Sequence, residues 1–256
     1  MKITLLLHDK GWFRYQHAVC FMPTFLKYAA PSDINIDNNP SGGDVLFALH
    51  YPALLAAHIR ERYKYSVVIH GADLPKGRGR SPIHYQVEAG LNEIPLTMFE
   101  IVDEADAGPV YLRDTLSLDG TELLEGIRCK TIRKEIEMVD TFLAQYPMTA
   151  EPQTGEPTHY TRRDRECQRL CVADSIASQF DKMRVADNQR YPLWFQWNGV
   201  DYELHIIDGR RPIDMCEKQV EPHPPLGYEQ AMAESGERLS LHEPTGGSAD
   251  ERLQEM

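Results

Sequence analysis

The sequence predicts an α/β protein: an open sheet covered by helices on both faces, then a small α+β appendage and an acidic tail. Three observations carry that reading. Short apolar runs alternate with amphipathic segments up to about residue 145, the pattern of strands joined through helices. Further on, Asn198-Gly199 separates two runs of strand-forming residues, and this dipeptide is the strongest short hairpin signal. From Glu217 onward nine acids stand against three bases in a stretch rich in Pro, Gly and Ser, a composition that does not bury a core.

The elements follow in order. ITLLL (3–7) is a first strand, and RYQHAVCFMPTFLKYA (14–29) has helical spacing that Pro23 should bend. DVLFA (44–48) reads as a strand, YPALLAAHIRERY (51–63) as a helix and KYSVVIH (64–70) as the next strand. SPIHYQVEAGLNEI (81–94) opens a helix with Ser81 at the N-cap and Pro82 in the first turn. PLTMFEIV (95–102) and GPVYLRDTLSL (108–118) are two strands around DEADA, and residues 119–147 form a long amphipathic helix closed by Pro147. The Pro- and Thr-rich stretch 149–166 reads as a linker with a burst of arginines. Residues 173–191 read as a helix with Ser175 as a candidate N-cap, and 192–208 as the hairpin. The expected division is a domain over 1–147, a helix-plus-hairpin region over 153–212 and a disordered tail over 217–256.

Charge and cysteine usage narrow the function. The net charge is −12, half of it in the tail, so the chain should repel phosphate backbones, and nucleic acid is not an expected partner. No apolar run approaches the roughly 20 residues of a membrane-spanning helix, and MKITLLL runs straight into His8, Asp9 and Lys10, reading as a strand and not as a signal peptide. The five cysteines are scattered and odd in number, which fits a reducing cytoplasm. Cys167 and Cys171 have no second Cys/His pair at zinc-site spacing, so no metal is expected.

The chemistry concentrates after the strand that ends at His70. Residues 71–81 (GADLPKGRGRS) form a connection longer than the roughly two to six residues usual in α/β units, as a loop shaped around a ligand would. A second loop, VDEADAGPV (102–110), supplies Asp103, Glu104 and Asp106. A histidine and a carboxylate meeting at one sheet edge form a general acid/base pair, the carboxylate fixing the imidazole's tautomer. The alternative is that His70 only caps a strand and the acids are solvated.

HGADLPKGRGRSPI (70–83), followed by ADAGPV (105–110), resembles the 10-formyltetrahydrofolate-dependent formyltransferases, and most closely the branch that formylates 4-amino sugars in pathways of the pseudaminic-acid type. The family pattern is Asn-x-His at a strand end, a Leu-Pro-x-x-Arg-Gly loop and then Asp-x-Gly, and the resemblance covers about residues 1–145. It implies a Rossmann-like open sheet (the formyltransferase fold), with His70 and Asp106 as catalytic residues and 10-formyltetrahydrofolate as the formyl donor. Lys76, Arg78, Gly79 and Arg80 would face the acceptor amine, with the basic side chains either receiving a nucleotide diphosphate or simply solvated. The folate would lie near Phe47, His50 and Tyr51 on one side and Val102, Asp103 and Glu104 on the other, with His50 either a wall of that pocket or an ordinary loop histidine.

One position departs from the pattern. Val68 stands where the family has asparagine, a donor to the oxyanion of the tetrahedral intermediate, and loss of one such donor costs about 2.7–4 kcal/mol. Another group replaces it, or the protein is a weak relative.

The acidic composition argues against methionyl-tRNA as acceptor. The single glycine in HDKGWFRYQ (8–16) argues against glycinamide ribonucleotide. A small-molecule amine, foremost a nucleotide-linked 4-amino sugar, is the first expectation. A hydroxyornithine-type siderophore precursor and a folate- or nucleotide-binding pseudoenzyme are the alternatives. Apolar residues on the hairpin could pair two subunits into a homodimer. His84, three residues after Ser81, reads as a surface or packing residue, and Arg162, Arg163 and Arg165 as either structural pairs or substrate contacts.

Overall fold

The computed structural model describes residues 1–7, 15–38 and 40–210; the tail expected over 217–256 lies outside the described residues. The first half runs β1 (Ile3–Leu6), α1 (Tyr15–Ala18), α2 (Met22–Phe25), β2 (Ile34–Asp37), β3 (Gly43–Phe47), α3 (Ala57–Arg60), β4 (Tyr63–His70), β5 (Arg78–Gly79) and α4 (Pro82–Glu88). The second half runs β6 (Glu93–Glu100), β7 (Val110–Ser117), α5 (Leu124–Ala144), β8 (His159–Tyr160), α6 (Ile176–Arg184), β9 (Leu193–Trp197) and β10 (Val200–Leu204).

Six strands form one sheet in the order β2-β1-β3-β4-β6-β7. The first four are parallel, whereas β6 runs antiparallel to β4 and β7 antiparallel to β6. Strand side chains alternate between faces, and here both faces are covered. Val45 and Phe47 enter a large cluster with Phe25 of α2 and with Val139 and Phe142 of α5. Leu46 and Ala48 enter a smaller one with Leu6, Leu55 and Tyr63. Each fully buried aliphatic or phenyl side chain stabilises the fold by about 1.5–3 kcal/mol, so this two-sided burial is the main reason the sheet forms.

Several elements differ from the sequence expectation. The helix expected over 14–29 is two short pieces joined by a 3-10 turn over Val19–Phe21, and Pro23 begins the second piece, since it cannot donate within a continuing helix. The helix expected over 51–63 shrinks to α3, because the Arg60 side chain bonds the Leu55 carbonyl (3.1 Å) in a stretch that is not helical. Ser81 stands at the N-cap position with Pro82 after it as expected, but in a left-handed conformation (φ 56°) that makes no side-chain capping bond. That helix stops early at Gly90 (φ 82°), where the Leu91 amide returns to the Gln86 carbonyl, a left-handed glycine closure. Strand β2 carries an Ile-Asn-Ile-Asp alternation that the sequence reading passed over.

The later elements match their local signals. Ser175 caps α6 by accepting from the Ser178 amide at 3.1 Å. Asn198 and Gly199 have φ of 49° and 79°, both positive as a tight type I′ hairpin requires. Arg184 of α6 is fully buried and donates to the Glu122 carbonyl (3.1 Å), Glu122 Oε2 (3.1 Å), Asn92 Oδ1 (3.0 Å) and Asp181 Oδ1 (2.9 Å).

Two tests follow from this buried network. Arg184→Ala takes the donor from the buried Glu122 carbonyl while Lys130 still pairs the carboxylate, and should cost about 1–3 kcal/mol, read from the urea midpoint. Burial alone would raise the carboxyls of Glu122 and Asp187, yet Lys130 and Arg128, with nearby amides, hold both below the ordinary range. A carboxyl depressed in the folded state adds stability that is complete above its unfolded value of about 4 and is lost as the pH falls through the folded value. Stability should therefore decline on acidification below about pH 4, and the decline should be shallower once Glu122 is replaced by Gln.

Candidate active site

Strand β4 places Val68 and His70 on one face, opposite Phe99 and Thr97 of β6. The loop after His70 then folds back over it, and the ring Nε2 meets the Gly77 carbonyl at 2.8 Å. A carbonyl only accepts, so Nε2 carries the proton of the neutral ring and Nδ1 presents its lone pair. Nδ1 lies 3.8 Å from Asp106 Oδ1, with side chains 10% and 21% exposed. The other Asp106 oxygen accepts from the Gly79 amide at 2.8 Å. The expectation that the carboxylate sets the tautomer is thus corrected: the Gly77 carbonyl does.

How Asp106 arrives there also corrects the sequence picture of two loops on one carboxyl edge. Because β6 runs antiparallel, its end at Glu100 lies beside Val67, and the Ile101 amide bonds the Ser66 carbonyl at 2.7 Å. The loop over 101–109 therefore leaves from the middle of β4 and curls back toward His70. Gly108 makes that return possible, for a Cβ there would lie 1.7 Å from the Glu100 carbonyl oxygen. Asp106 itself takes a left-handed conformation (φ 55°), which aspartate tolerates better than most residues.

The remaining expected site residues divide. Arg78 bonds Glu104 Oε1 (2.8 Å) and Gln153 Oε1 (2.9 Å), and its buried Nε has no partner among the described residues. A phosphate could reach its terminal nitrogens only by displacing one of these partners. Lys76 and Arg80 are exposed, and Lys76 lines a cavity of about 380 Å³ with Asp73, Arg113 and Glu156. Gly79 pairs with Tyr160 in a short parallel ladder between β5 and β8, at φ 103° and so close that a Cβ would lie 2.3 Å from the Tyr160 carbonyl oxygen.

On the expected folate side the side chains spread out. Phe47 is fully buried between Phe25 and Phe142, so only its main chain can face a ligand. His50 Nε2 meets Glu135 Oε2 of α5 at 2.9 Å, and Tyr51 packs on the smaller core cluster. Asp103 pairs with Arg60, which also holds the Ile101 carbonyl at 3.2 Å, while Val102 is half-buried. His84 is drawn down to about 4 by burial and by the charges of Arg163 and Arg128, so it is neutral near pH 7 and acts as packing.

Sequence reasoning missed Gln153 and Thr158. The Gln153 amide donates to the carbonyls of Asp106 (2.8 Å) and Gly108 (2.9 Å), and Thr158 Oγ1 accepts from the Gly77 amide at 2.8 Å. Both lie in the stretch read as a linker, where no periodicity marks them.

The arrangement brings a ring nitrogen with a lone pair and a carboxylate oxygen to within 3.8 Å of each other at the sheet rim. No family model matches the chain. A methionyl-tRNA formyltransferase of Thermosipho africanus is 30% identical over 119 residues, 46% of this chain and 39% of that protein. Among solved structures, a methionyl-tRNA formyltransferase from Clostridium thermocellum superposes with a TM-score of 0.68 at 17% identity, covering 82% of this chain and 94% of that one. A 4-N formyltransferase from Francisella tularensis gives 0.61 at 14% identity, over 80% and 97%. HypX from Aquifex aeolicus in complex with tetrahydrofolic acid gives 0.62 at 16%, over 80% and 37%.

The architecture is thus the formyltransferase fold. The chain is similar in part to methionyl-tRNA formyltransferases, and it spans about two fifths of the length of the Thermosipho protein.

The close approach at Gly108 is directly testable. Gly108→Ala presses a methyl onto a backbone carbonyl that cannot rotate away, an overpacking worth about 1–3 kcal/mol. A lowered melting temperature, with altered amide resonances of Gly79 and Asp106, is the expected result.

Proposed function

We propose that this chain transfers the formyl group of 10-formyltetrahydrofolate to the amine of a small molecule, foremost a nucleotide-linked 4-amino sugar. The observation that carries the reading is the convergence of His70 Nδ1 and Asp106 Oδ1 at the sheet rim. The acceptor amine attacks the formyl carbon, forming a C–N bond and a tetrahedral intermediate. His70 Nδ1 takes the proton that the nitrogen loses, and Asp106 favours the resulting imidazolium. The bond from carbon to N10 of the folate then breaks, and the same proton passes to that nitrogen. Main-chain groups of the loop over 101–104 would hold the pterin; that a folate is the donor is supported by a neighbour of this fold solved in complex with tetrahydrofolic acid.

The net charge of −12 and the structural likeness to a 4-N formyltransferase favour a small acceptor. A second reading has methionyl-tRNA as acceptor, favoured by the curated relative and by the Clostridium structure. Hydroxyornithine-type amines and a folate-binding pseudoenzyme complete the alternatives, the last motivated by Val68. The same reading puts the protein in the cytoplasm, and no helix among the described residues is long and apolar enough to cross a membrane. A homodimer could form through Trp197, Val200 and Tyr202, exposed apolar residues on one face of the hairpin.

The test incubates the protein with 10-formyltetrahydrofolate and a panel of UDP- and dTDP-linked 4-amino sugars, N5-hydroxyornithine and methionyl-tRNA, following release of tetrahydrofolate. Turnover with an amino sugar is expected, and turnover with the tRNA alone would replace the reading with the second. His70→Ala and Asp106→Ala should each lower turnover by about 10²–10⁴ with unchanged circular dichroism. Near-normal rates in either variant would remove that residue from the chemistry.

A further inference from the structure

We propose that the segment Glu151–Tyr160 is a strap that sets the geometry of the His70–Asp106 pair, with Gln153 and Thr158 as its positioning residues. The proposal rests on the formyl-transfer reading for its kinetic consequence only.

The strap is bonded to both loops of the site along its length. At its start the Glu151 amide and carbonyl exchange hydrogen bonds with Val110 (2.8 and 2.7 Å). Gln153 follows, and one side-chain amide serves three groups. Its nitrogen donates to the carbonyls of Asp106 and Gly108, and its oxygen accepts from Arg78. That amide therefore links the loop bearing the carboxylate to the loop covering the histidine. Further along, Thr158 Oγ1 accepts from the Gly77 amide and the Thr158 carbonyl accepts from the Arg78 amide at 2.9 Å. Tyr160 closes the strap by pairing with Gly79 and stacking on Tyr85 at 4.7 Å.

Each contact acts one residue away from the reacting pair. Thr158 holds Gly77 from both sides, its hydroxyl on the Gly77 amide and its carbonyl on the Arg78 amide, which shares a peptide plane with the Gly77 carbonyl that bonds His70 Nε2 and so keeps Nδ1 as the acceptor. Gln153 fixes the backbone of Asp106, whose side chain Gly79 holds from the opposite side. Neither side chain reaches the reacting atoms. Their effect is on which ring nitrogen carries the proton and on how far the carboxylate stands from it, and a displacement of 1 Å at such a pair can cost about 10² in rate.

The experiment compares Thr158→Val, Thr158→Ser and Gln153→Ala with the wild-type chain in two readouts. The first is the ¹⁵N shifts of the His70 ring, assigned by loss of the signal in His70→Ala. The wild type should show the Nε2–H tautomer, Thr158→Val a mixture, and Thr158→Ser, which keeps the hydroxyl, the wild-type pattern. The second is steady-state kinetics with the acceptor found active. Thr158→Val and Gln153→Ala should lower kcat at least tenfold with KM for the folate within twofold, while Thr158→Ser restores kcat. An unchanged tautomer in Thr158→Val, an unchanged kcat in both, or a Ser variant as impaired as the Val variant would overturn the proposal. Melting scans identify any variant that fails to fold; should Thr158→Val do so, Gln153→Ala alone decides by its kcat-against-KM split. If the wild type makes no product with any acceptor, the functional reading fails, and the tautomer comparison still decides whether the strap positions the ring.

Discussion

The hydrogen bond from His70 Nε2 to the Gly77 carbonyl is the contact on which the proposed chemistry would depend. It converts a histidine with two equivalent choices into one with a single choice, a proton on Nε2 and a lone pair on Nδ1. Without it, the carboxylate of Asp106 could draw the proton to Nδ1, and the lone pair would move to Nε2, on the side of the ring away from Asp106. The long loop over 71–81 thus does more than clear space for a ligand. Its length lets the chain return over His70 and offer a backbone acceptor.

That loop cannot hold this shape alone. Gly77 and Gly79 both lie at positive φ, and glycine loses more conformational entropy on ordering than any other residue. The compensation comes from outside the loop, through the pairing of β5 with β8 and the contacts of Gln153. On the far side, the antiparallel turn of β6 brings the Asp106 loop back from mid-sheet. A purely parallel sheet would have sent that loop outward from the rim. The antiparallel strand therefore decides the separation between acid and base.

Much of the fold was legible in the sequence, because strands buried on both faces carry short unbroken apolar stretches, here Leu5–Leu7, Val45–Ala48 and Val67–Ile69. The runs at 3–7, 44–48 and 64–70 could be little else, and Asn198-Gly199 fixed its hairpin through the need for two positive φ values. The short helices were less legible. The Pro23 and Arg60 regions have helical spacing, but the chain there is decided by a proline and by a guanidinium satisfying a carbonyl across the turn. Strand direction was not legible at all, since alternation reads the same in both senses, and so the path of the Asp106 loop was misjudged. At the site, His70 and Asp106 stood out by chemistry. Gln153 and Thr158 did not, because their role is to bond backbone atoms of residues more than forty positions away, and no local pattern encodes such a partner.

Val68 marks where the remaining chemistry must come from. On the proposed reaction, an oxyanion forms as the amine attacks, and a site with one donor missing forgoes about 2.7–4 kcal/mol of stabilisation. The Nε2 proton cannot supply it while bonded to Gly77. On the proposed reaction, the proton that Nδ1 takes from the amine would be free of that bond and available to the formyl oxygen as negative charge gathers there. A charged donor of this kind forms hydrogen bonds roughly twice as strong as a neutral amide does. In this arrangement the base generates the donor, and the 3.8 Å separation between Nδ1 and Asp106 acquires a purpose. A carboxylate in tight contact would capture the new N–H, whereas one held back by the Gly79 amide would leave that proton for the substrate.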